Sequence, residues 1–157
     1  MDLSGTTAHD SLAAALATDF ERIVGLFRSL SPASGLSMTA AATLAGIERL
    51  GPQRLTLLAA REGVTQPAMT QLISRLEESG LVRREPSLDD GRVVLVAITE
   101  LGRATLARRR SARAERLAGI IAQLSPDHRA ALAAALPALD ALASVPREDD
   151  PVRAATR

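Results

Sequence analysis

Polar side chains between residues 66 and 78 recur at spacings that place them on one face of a helix. The apolar residues of this segment fall at i, i+3, i+4 and i+7, and they predict an inward stripe of Met69, Leu72, Ile73 and Leu76. The outward side, called the polar face below, then carries Gln66, Thr70, Gln71, Ser74 and Arg75. Amide, hydroxyl and guanidinium groups on a rigid helix can hydrogen-bond to base edges in the major groove of DNA. A merely solvated helix has the same appearance, so this face alone leaves both interpretations open.

Local signals place this helix second in a helix-turn-helix. Thr56 is a suitable N-cap for a short apolar helix over residues 57–62, which a glycine turn separates from the polar helix. Thr65 is a suitable N-cap for the polar helix, and Pro67 suits its first turn because a missing N–H costs little there. Gly80 is a C-terminal stop.

A β-hairpin is predicted directly after the polar helix. Residues 81–87 and 93–99 are β-prone, and the Asp90-Gly91 pair between them is a strong hairpin signal. Arg92 at the tip of this hairpin could reach a flanking minor groove. A wing of this kind behind a polar helix favours DNA binding over a merely solvated helix face.

The rest of the chain is predicted to be mostly helical. Further elements are expected at residues 9–30, 37–50, 103–124 and 127–143, with a short edge strand at Leu55. Pro137 is expected to bend the last helix, and the charged residues 146–157 are predicted to be disordered. The apolar stripes of the terminal helices exceed what one small core needs, so they are predicted to pack against a second copy of the chain.

Composition limits the classes of function. The 157 residues suit one domain, and the absence of cysteine excludes disulfides and thiolate metal sites. No apolar run is long enough to cross a bilayer and the acidic N-terminus does not resemble a signal peptide, so a cytoplasmic location is expected. The net charge is only +1, but residues 54–113 hold eleven arginines against seven acids. The positive half is therefore the one that contains the predicted helix-turn-helix.

Three stretches resemble the MarR family of bacterial transcription regulators. Residues 57–82, LLAAREGVTQPAMTQLISRLEESGLV, look like the helix-turn-helix of that family. Residues 90–102, DGRVVLVAITELG, resemble its wing signature, and residues 124–132, LSPDHRAAL, resemble the start of its final helix. The resemblance covers nearly the whole chain. It implies a mainly α fold with a small β-wing, in a single MarR-type domain over residues 1–157.

The resemblance also implies a function. Residues 9–30 and 103–143 would be dimerisation helices of a homodimer, and residues 37–99 would form a winged helix-turn-helix bound to double-stranded DNA at a pseudo-palindromic operator. The implied DNA-binding residues are Thr65, Gln66, Pro67, Thr70, Gln71, Ser74, Arg75, Asp90 and Arg92. Asp90 would hold the wing in shape by pairing with Arg92 or the neighbouring backbone. The protein would be a repressor modulated by a small-molecule effector, with no cofactor and no metal.

Other functions stay open at this point. An enzyme needs convergent titratable groups, and the chain offers two isolated histidines, no cysteine and no glycine-rich phosphate loop. A winged domain that serves only protein contacts would not need the polar face or Arg92. The effector site is unknown: Phe27, Leu36 and Met38 are geometric candidates, although core packing accounts more simply for apolar residues at helical spacing.

Overall fold

The computed structural model describes residues 3–30, 36–87, 91 and 93–145, with side chains from residue 10 onward. Its elements in chain order are α1 (Leu3–Ser29), α2 (Met38–Leu50), β1 (Gln53–Arg54), α3 (Leu55–Arg61), α4 (Gln66–Glu78), β2 (Val82–Pro86), β3 (Val94–Ile98), α5 (Glu100–Ile121) and α6 (Pro126–Ser144). The chain divides into two compact units, residues 1–34 with α1 and residues 35–157 with all other elements. The predicted fold class, mainly α with a small β-wing, is confirmed.

The start of the helix-turn-helix differs from the prediction. Strand β1 consists of two residues paired with β3, and the extended backbone ends at Arg54. Leu55 is therefore the first residue of α3 and does not lie in a strand. Arg54 is the N-cap and makes no side-chain capping hydrogen bond, whereas Thr56 lies inside the helix. The predicted cap at Thr56 is wrong, because pairing with a distant strand decides where the helix begins.

Two other helices begin earlier than predicted. Helix α1 starts at Leu3 and not at residue 9. Helix α5 starts at Glu100 and not at residue 103, because the Thr99 hydroxyl oxygen accepts a hydrogen bond from the Gly102 N–H at 3.0 Å and caps the helix there. Helix α6 starts at Pro126, within one residue of the predicted start, and has Ser125 as its N-cap. Pro137 lies inside α6, and the bend predicted there stays a prediction.

The core of the 35–157 unit fixes the rotation of α4. Met69 and Ile73 are fully buried and Leu76 is nearly so, which confirms three members of the predicted stripe; Leu72 is half-buried against the same cluster. The core residues around them include Leu44, Ile47, Leu58, Leu81, Val96 and Leu106. Burial of one side of α4 leaves the polar face directed toward solvent.

A close approach joins the end of the helix-turn-helix to the base of the wing. The sheet has the order β1-β3-β2, and the N–H of Thr99, just after β3, donates to the Leu81 carbonyl oxygen at 3.1 Å. The Thr99 hydroxyl donates to the Gly80 carbonyl oxygen at 2.6 Å. A Cβ at Gly102 would collide with the Leu81 carbonyl oxygen and lie 2.7 Å from the Ile98 side chain. Glycine at position 102 therefore permits the contact that holds the wing in place.

Candidate nucleic-acid interface

The first turn of α4 is capped as the sequence predicts. The Thr65 hydroxyl oxygen accepts a hydrogen bond from the Ala68 N–H at 3.4 Å, and the Thr65 carbonyl oxygen accepts one from the Met69 N–H at 3.0 Å. Pro67 lies in this turn, where no backbone partner is lost. The N-terminal end of a helix carries a partial positive charge, which suits an approaching phosphate.

The polar face of α4 is open to solvent over most of its length. The exposed members of the predicted site on this helix are Gln66, Pro67, Thr70, Gln71 and Arg75. Ser74, also on this face, is half-buried. The cause is a neighbouring arginine of the wing, Arg84, whose Nη2 donates to the Ser74 hydroxyl oxygen at 3.3 Å.

Hydrogen bonds inside the chain decide what each side chain can still offer to DNA. The Thr70 hydroxyl donates to the Gln66 carbonyl oxygen at 2.9 Å, which leaves its oxygen lone pairs and its methyl group available. Ser74 is the reverse case, because its oxygen accepts from Arg84 and its proton is available. Within the described residues, the side-chain amides of Gln66 and Gln71 have no hydrogen-bond partner. Both amides can therefore present a donor and an acceptor together.

The wing is a two-stranded antiparallel hairpin. Val82 pairs with Ile98 at its base and Pro86 with Val94 near its tip, and the Ser87 N–H donates to the Val93 carbonyl oxygen at 2.8 Å. The predicted hairpin is thus present. The two predicted wing-tip residues, Asp90 and Arg92, lie outside the described residues, so their roles stay predictions.

An ion pair between the wing and α4 was missed by the sequence reasoning. The Arg84 guanidinium of β2 pairs with the Glu77 carboxylate of α4, and the Arg84 backbone N–H donates to Glu77 Oε1 at 3.2 Å. Strand alternation carries the signal that could have found it. Arg84 lies two residues after the buried Val82 and so shares its face of the sheet, where a charge needs a partner.

Charges around the interface are mixed. On β2, Arg83 pairs with Glu85 at 2.7 Å, and both residues lie on the opposite face of the strand from Arg84. Burial raises the pKa of the Glu62 carboxyl, which ends α3, and the adjacent Arg61 guanidinium opposes that rise. In the part of the chain that the structure describes, no cluster of His, Cys, Asp or Glu could hold a metal ion.

The three apolar effector candidates have different surroundings. Leu36 is half-buried and packs against the core, and its carbonyl oxygen accepts a hydrogen bond from Arg109 Nη1 of α5 at 3.1 Å. Arg109 itself is only 4% exposed. Burial and the nearby Arg109 guanidinium both lower the pKa of Arg113, one turn further along α5. Met38 and Phe27 are exposed in the single chain. No ligand site is identified by these contacts alone.

Comparison with known proteins gives relatives over most of the chain. Residues 36–94 match the family model described as the MarR family. An HTH-type transcriptional regulator of Mycobacterium tuberculosis is 35% identical over 118 residues, which cover 75% of this chain and 82% of that protein. A similar regulator of Mycobacterium leprae is 34% identical over the same shares of both chains.

Solved structures share the fold. A Pseudomonas aeruginosa protein, 27% identical, superposes with a TM-score of 0.73 and covers 90% of this chain and 99% of its own. The transcriptional regulator BldR from Sulfolobus solfataricus, 25% identical, gives a TM-score of 0.63 over 92% of this chain and 99% of its own.

Among the described residues, no helix is long and apolar enough to cross a membrane.

Proposed function

Because the chain belongs to the MarR family of DNA-binding transcriptional regulators, we propose that it is a cytoplasmic repressor, a homodimer that binds a pseudo-palindromic operator and is modulated by a small-molecule ligand. The observation that carries the proposal is the solvent-facing polar face of α4, which the buried Met69 and Ile73 hold outward and which the β2–β3 hairpin follows directly. The proposed regions are helices 9–30 and 103–143 for dimerisation and residues 37–99 for DNA binding.

Each polar side chain then has a role that its free hydrogen-bonding groups support. Gln71 presents an amide donor and acceptor, which together match the N6 and N7 edge of adenine in the major groove. Thr70 can accept a hydrogen bond or touch a thymine methyl group, because its proton is held by the Gln66 carbonyl oxygen. Arg75 suits a guanine edge or a phosphate. Thr65, Gln66, Pro67 and Ser74 complete the proposed contact on α4, and Asp90 and Arg92 complete it on the wing.

The proposed homodimer is supported by helices that bury too little in one chain. Helix α6 has no buried residue, and its apolar side chains at helical spacing are exposed, with Leu136 at 64%. In α1, the exposed large apolar residues are Leu12, Phe20, Ile23, Val24, Leu26 and Phe27. A helix gains most of its stability in a protein by burying an apolar face, so a second copy of the chain is a fitting partner for both helices.

Repression requires only that the bound protein occupy a promoter, which two DNA-reading helices on a two-fold axis can do.

Ligand modulation is supported by the α5 arginines. Arg109 is buried beside the start of α2, and Arg113 lies one turn further along α5, where burial and, to a smaller extent, the Arg109 guanidinium lower its pKa. Two close guanidinium groups favour an anionic ligand. With so few aromatic residues in the chain, an aliphatic carboxylate is a better probe than an aromatic one.

The ligand proposal is tested with octanoate and its neutral analogue octanamide. Octanoate is expected to raise the melting temperature of the protein and to lower its affinity for DNA, and Arg109→Gln is expected to remove both effects. Equal responses to the acid and the amide would show that the charge of the ligand is not recognised by these arginines.

Selection of random DNA duplexes by the purified protein tests the proposed DNA recognition. We expect enrichment of an inverted repeat with half-sites centred about 10 base pairs, or a multiple of that, apart. Enrichment of a single asymmetric site would contradict the homodimer, and no enrichment would contradict sequence-specific binding. In the latter case a winged domain that serves only protein contacts would become the better proposal.

A further inference from the structure

One contact joins the recognition helix to the wing outside the hydrophobic core. The Glu77 carboxylate near the C-terminal end of α4 uses both oxygens on Arg84: one accepts from the backbone N–H at 3.2 Å and the other pairs with the guanidinium. The same guanidinium donates to the Ser74 hydroxyl oxygen at 3.3 Å. Three hydrogen bonds from one strand residue therefore end on two residues of α4 that lie one turn apart.

The location of this contact in the sheet makes it more than a surface ion pair. Strand β2 is an edge strand, because the sheet has the order β1-β3-β2. Edge strands present free N–H groups, and here the carboxylate of α4 takes one of them. The paired side chains are 37% and 36% exposed, and pairs with that exposure add little to stability. Their effect is on the geometry, because backbone and side-chain bonds together restrict both translation and rotation of β2 against α4.

The pair also controls charge at the DNA-facing surface. Glu77 lies one turn beyond Ser74, at the border of the polar face, where an unpaired carboxylate would repel DNA phosphates. Arg84 neutralises it. Because its guanidinium is paired with Glu77, Arg84 is not proposed to neutralise a DNA phosphate.

We propose that Arg84 and Glu77 are positioning residues for DNA recognition: together they fix the wing relative to the polar face, so that base contacts by α4 and minor-groove contact by the wing form at the same time. This inference rests on the proposed function, in which α4 and the wing both bind DNA. It assigns Ser74 a second role, as an anchor for Arg84.

The test compares Arg84→Gln, Glu77→Gln and the double variant with wild type. The matched control is Arg83→Gln, which removes the same charge from the neighbouring strand position, where Arg83 also has a carboxylate partner in Glu85 at 2.7 Å. The measurements are the dissociation constant for the selected operator, that for unrelated DNA, the hydroxyl-radical footprint in the flanking minor grooves, and the melting temperature.

Each variant has its own expected result. Arg84→Gln is expected to weaken operator binding about tenfold more than Arg83→Gln does and to remove the flanking footprint. Glu77→Gln is expected to lose the same footprint while binding unrelated DNA more tightly, since it leaves an unpaired guanidinium. The double variant is expected to bind unrelated DNA as wild type does and still to lack the footprint. That combination separates positioning from simple charge.

The results that overturn the inference are distinct from those that overturn the proposed function. If Arg84→Gln and Glu77→Gln keep the flanking footprint and Arg84→Gln binds the operator as Arg83→Gln does, the pair has no positioning role, although the protein remains a DNA-binding regulator. If wild type itself selects no operator, the proposed function fails before any variant is compared. Should Arg84→Gln fail to fold, the footprint of Glu77→Gln decides the question alone.

Discussion

Replacing Gln71 with alanine should remove DNA recognition without harming the fold. Gln71 is exposed on α4, and its amide has no hydrogen-bond partner among the described residues. Alanine is at least as good a helix former as glutamine, so the variant should be as stable as wild type. Any loss of DNA affinity then reports on the DNA contact proposed for Gln71.

The size of the loss follows from the number of contacts. One bidentate contact to a base is worth about 1–3 kcal/mol of discrimination. A homodimer places two copies of Gln71 on one operator, so the expected loss is about 2–6 kcal/mol, or about 30-fold to about 10⁴-fold in the dissociation constant. A protein that binds DNA as a monomer would lose only about 5-fold to 150-fold in affinity.

A mobility-shift titration at fixed salt measures this loss on the selected operator and on the same operator with one base pair per half-site replaced. Gln71→Ala should bind both duplexes alike, because the discriminating side chain is gone. The control is Gln123→Ala, which makes the same chemical change after α5, far along the chain from the polar face. If Gln71→Ala bound the operator like wild type, or if Gln123→Ala lost as much affinity, the assignment of the polar face to base recognition would be refuted.

Four further predictions concern the fold and its partners. Gly102→Ala should lower the melting temperature by about 3–10 °C, because the added methyl group collides with the Leu81 carbonyl oxygen. The control is Gly119→Ala, which should be neutral or stabilising because its Cβ would meet nothing within 4 Å. Calorimetry on both variants checks this. Leu136→Glu should shift the sedimentation coefficient toward that of a monomer and weaken operator binding, and an unchanged coefficient would contradict a dimer that uses α6. Burial raises the pKa of Glu62 in the folded state, so the contribution of this carboxyl to stability should fall as the pH rises above its ordinary pKa of 4.5. Urea unfolding at increasing pH should therefore show Glu62→Gln becoming progressively more stable than wild type. Thr70→Val, which keeps the methyl group, should cost less operator affinity than Gln71→Ala in the same titration.

Local patterns in the sequence predicted the elements that carry the candidate site. The apolar spacing of α4 identified Met69, Ile73 and Leu76 as buried, because a helix that packs on one side must repeat its apolar residues with the helical period. The hairpin and the cap at Thr65 depend on residues close together in the chain. Interactions of that range can be read directly from the order of residues.

Contacts between distant segments were the ones that sequence reasoning missed. Thr56 has the chemistry of an N-cap, but the pairing of β1 with β3 fixed the start of α3 two residues earlier than predicted, at Leu55. Ser74 has helical spacing on the polar face, yet Arg84 of the wing partly covers it. Which residues of different helices and strands contact one another depends on tertiary geometry, and the periodicity of the sequence does not encode that geometry.

The central claim is that the polar face of α4 lies in the major groove of two half-sites, and tethered cleavage tests it most directly. The chain has no cysteine, so Ala68→Cys, at an exposed position of α4 to which no base contact is assigned, provides a single attachment point for an iron-EDTA cleavage reagent. On the selected operator, we predict two symmetric clusters of strand cleavage, centred about 10 base pairs or a multiple of that apart. The same reagent on Asp140→Cys in α6 should give none of this pattern. Cleavage from position 68 that is absent, or no different from that at position 140, would contradict the account.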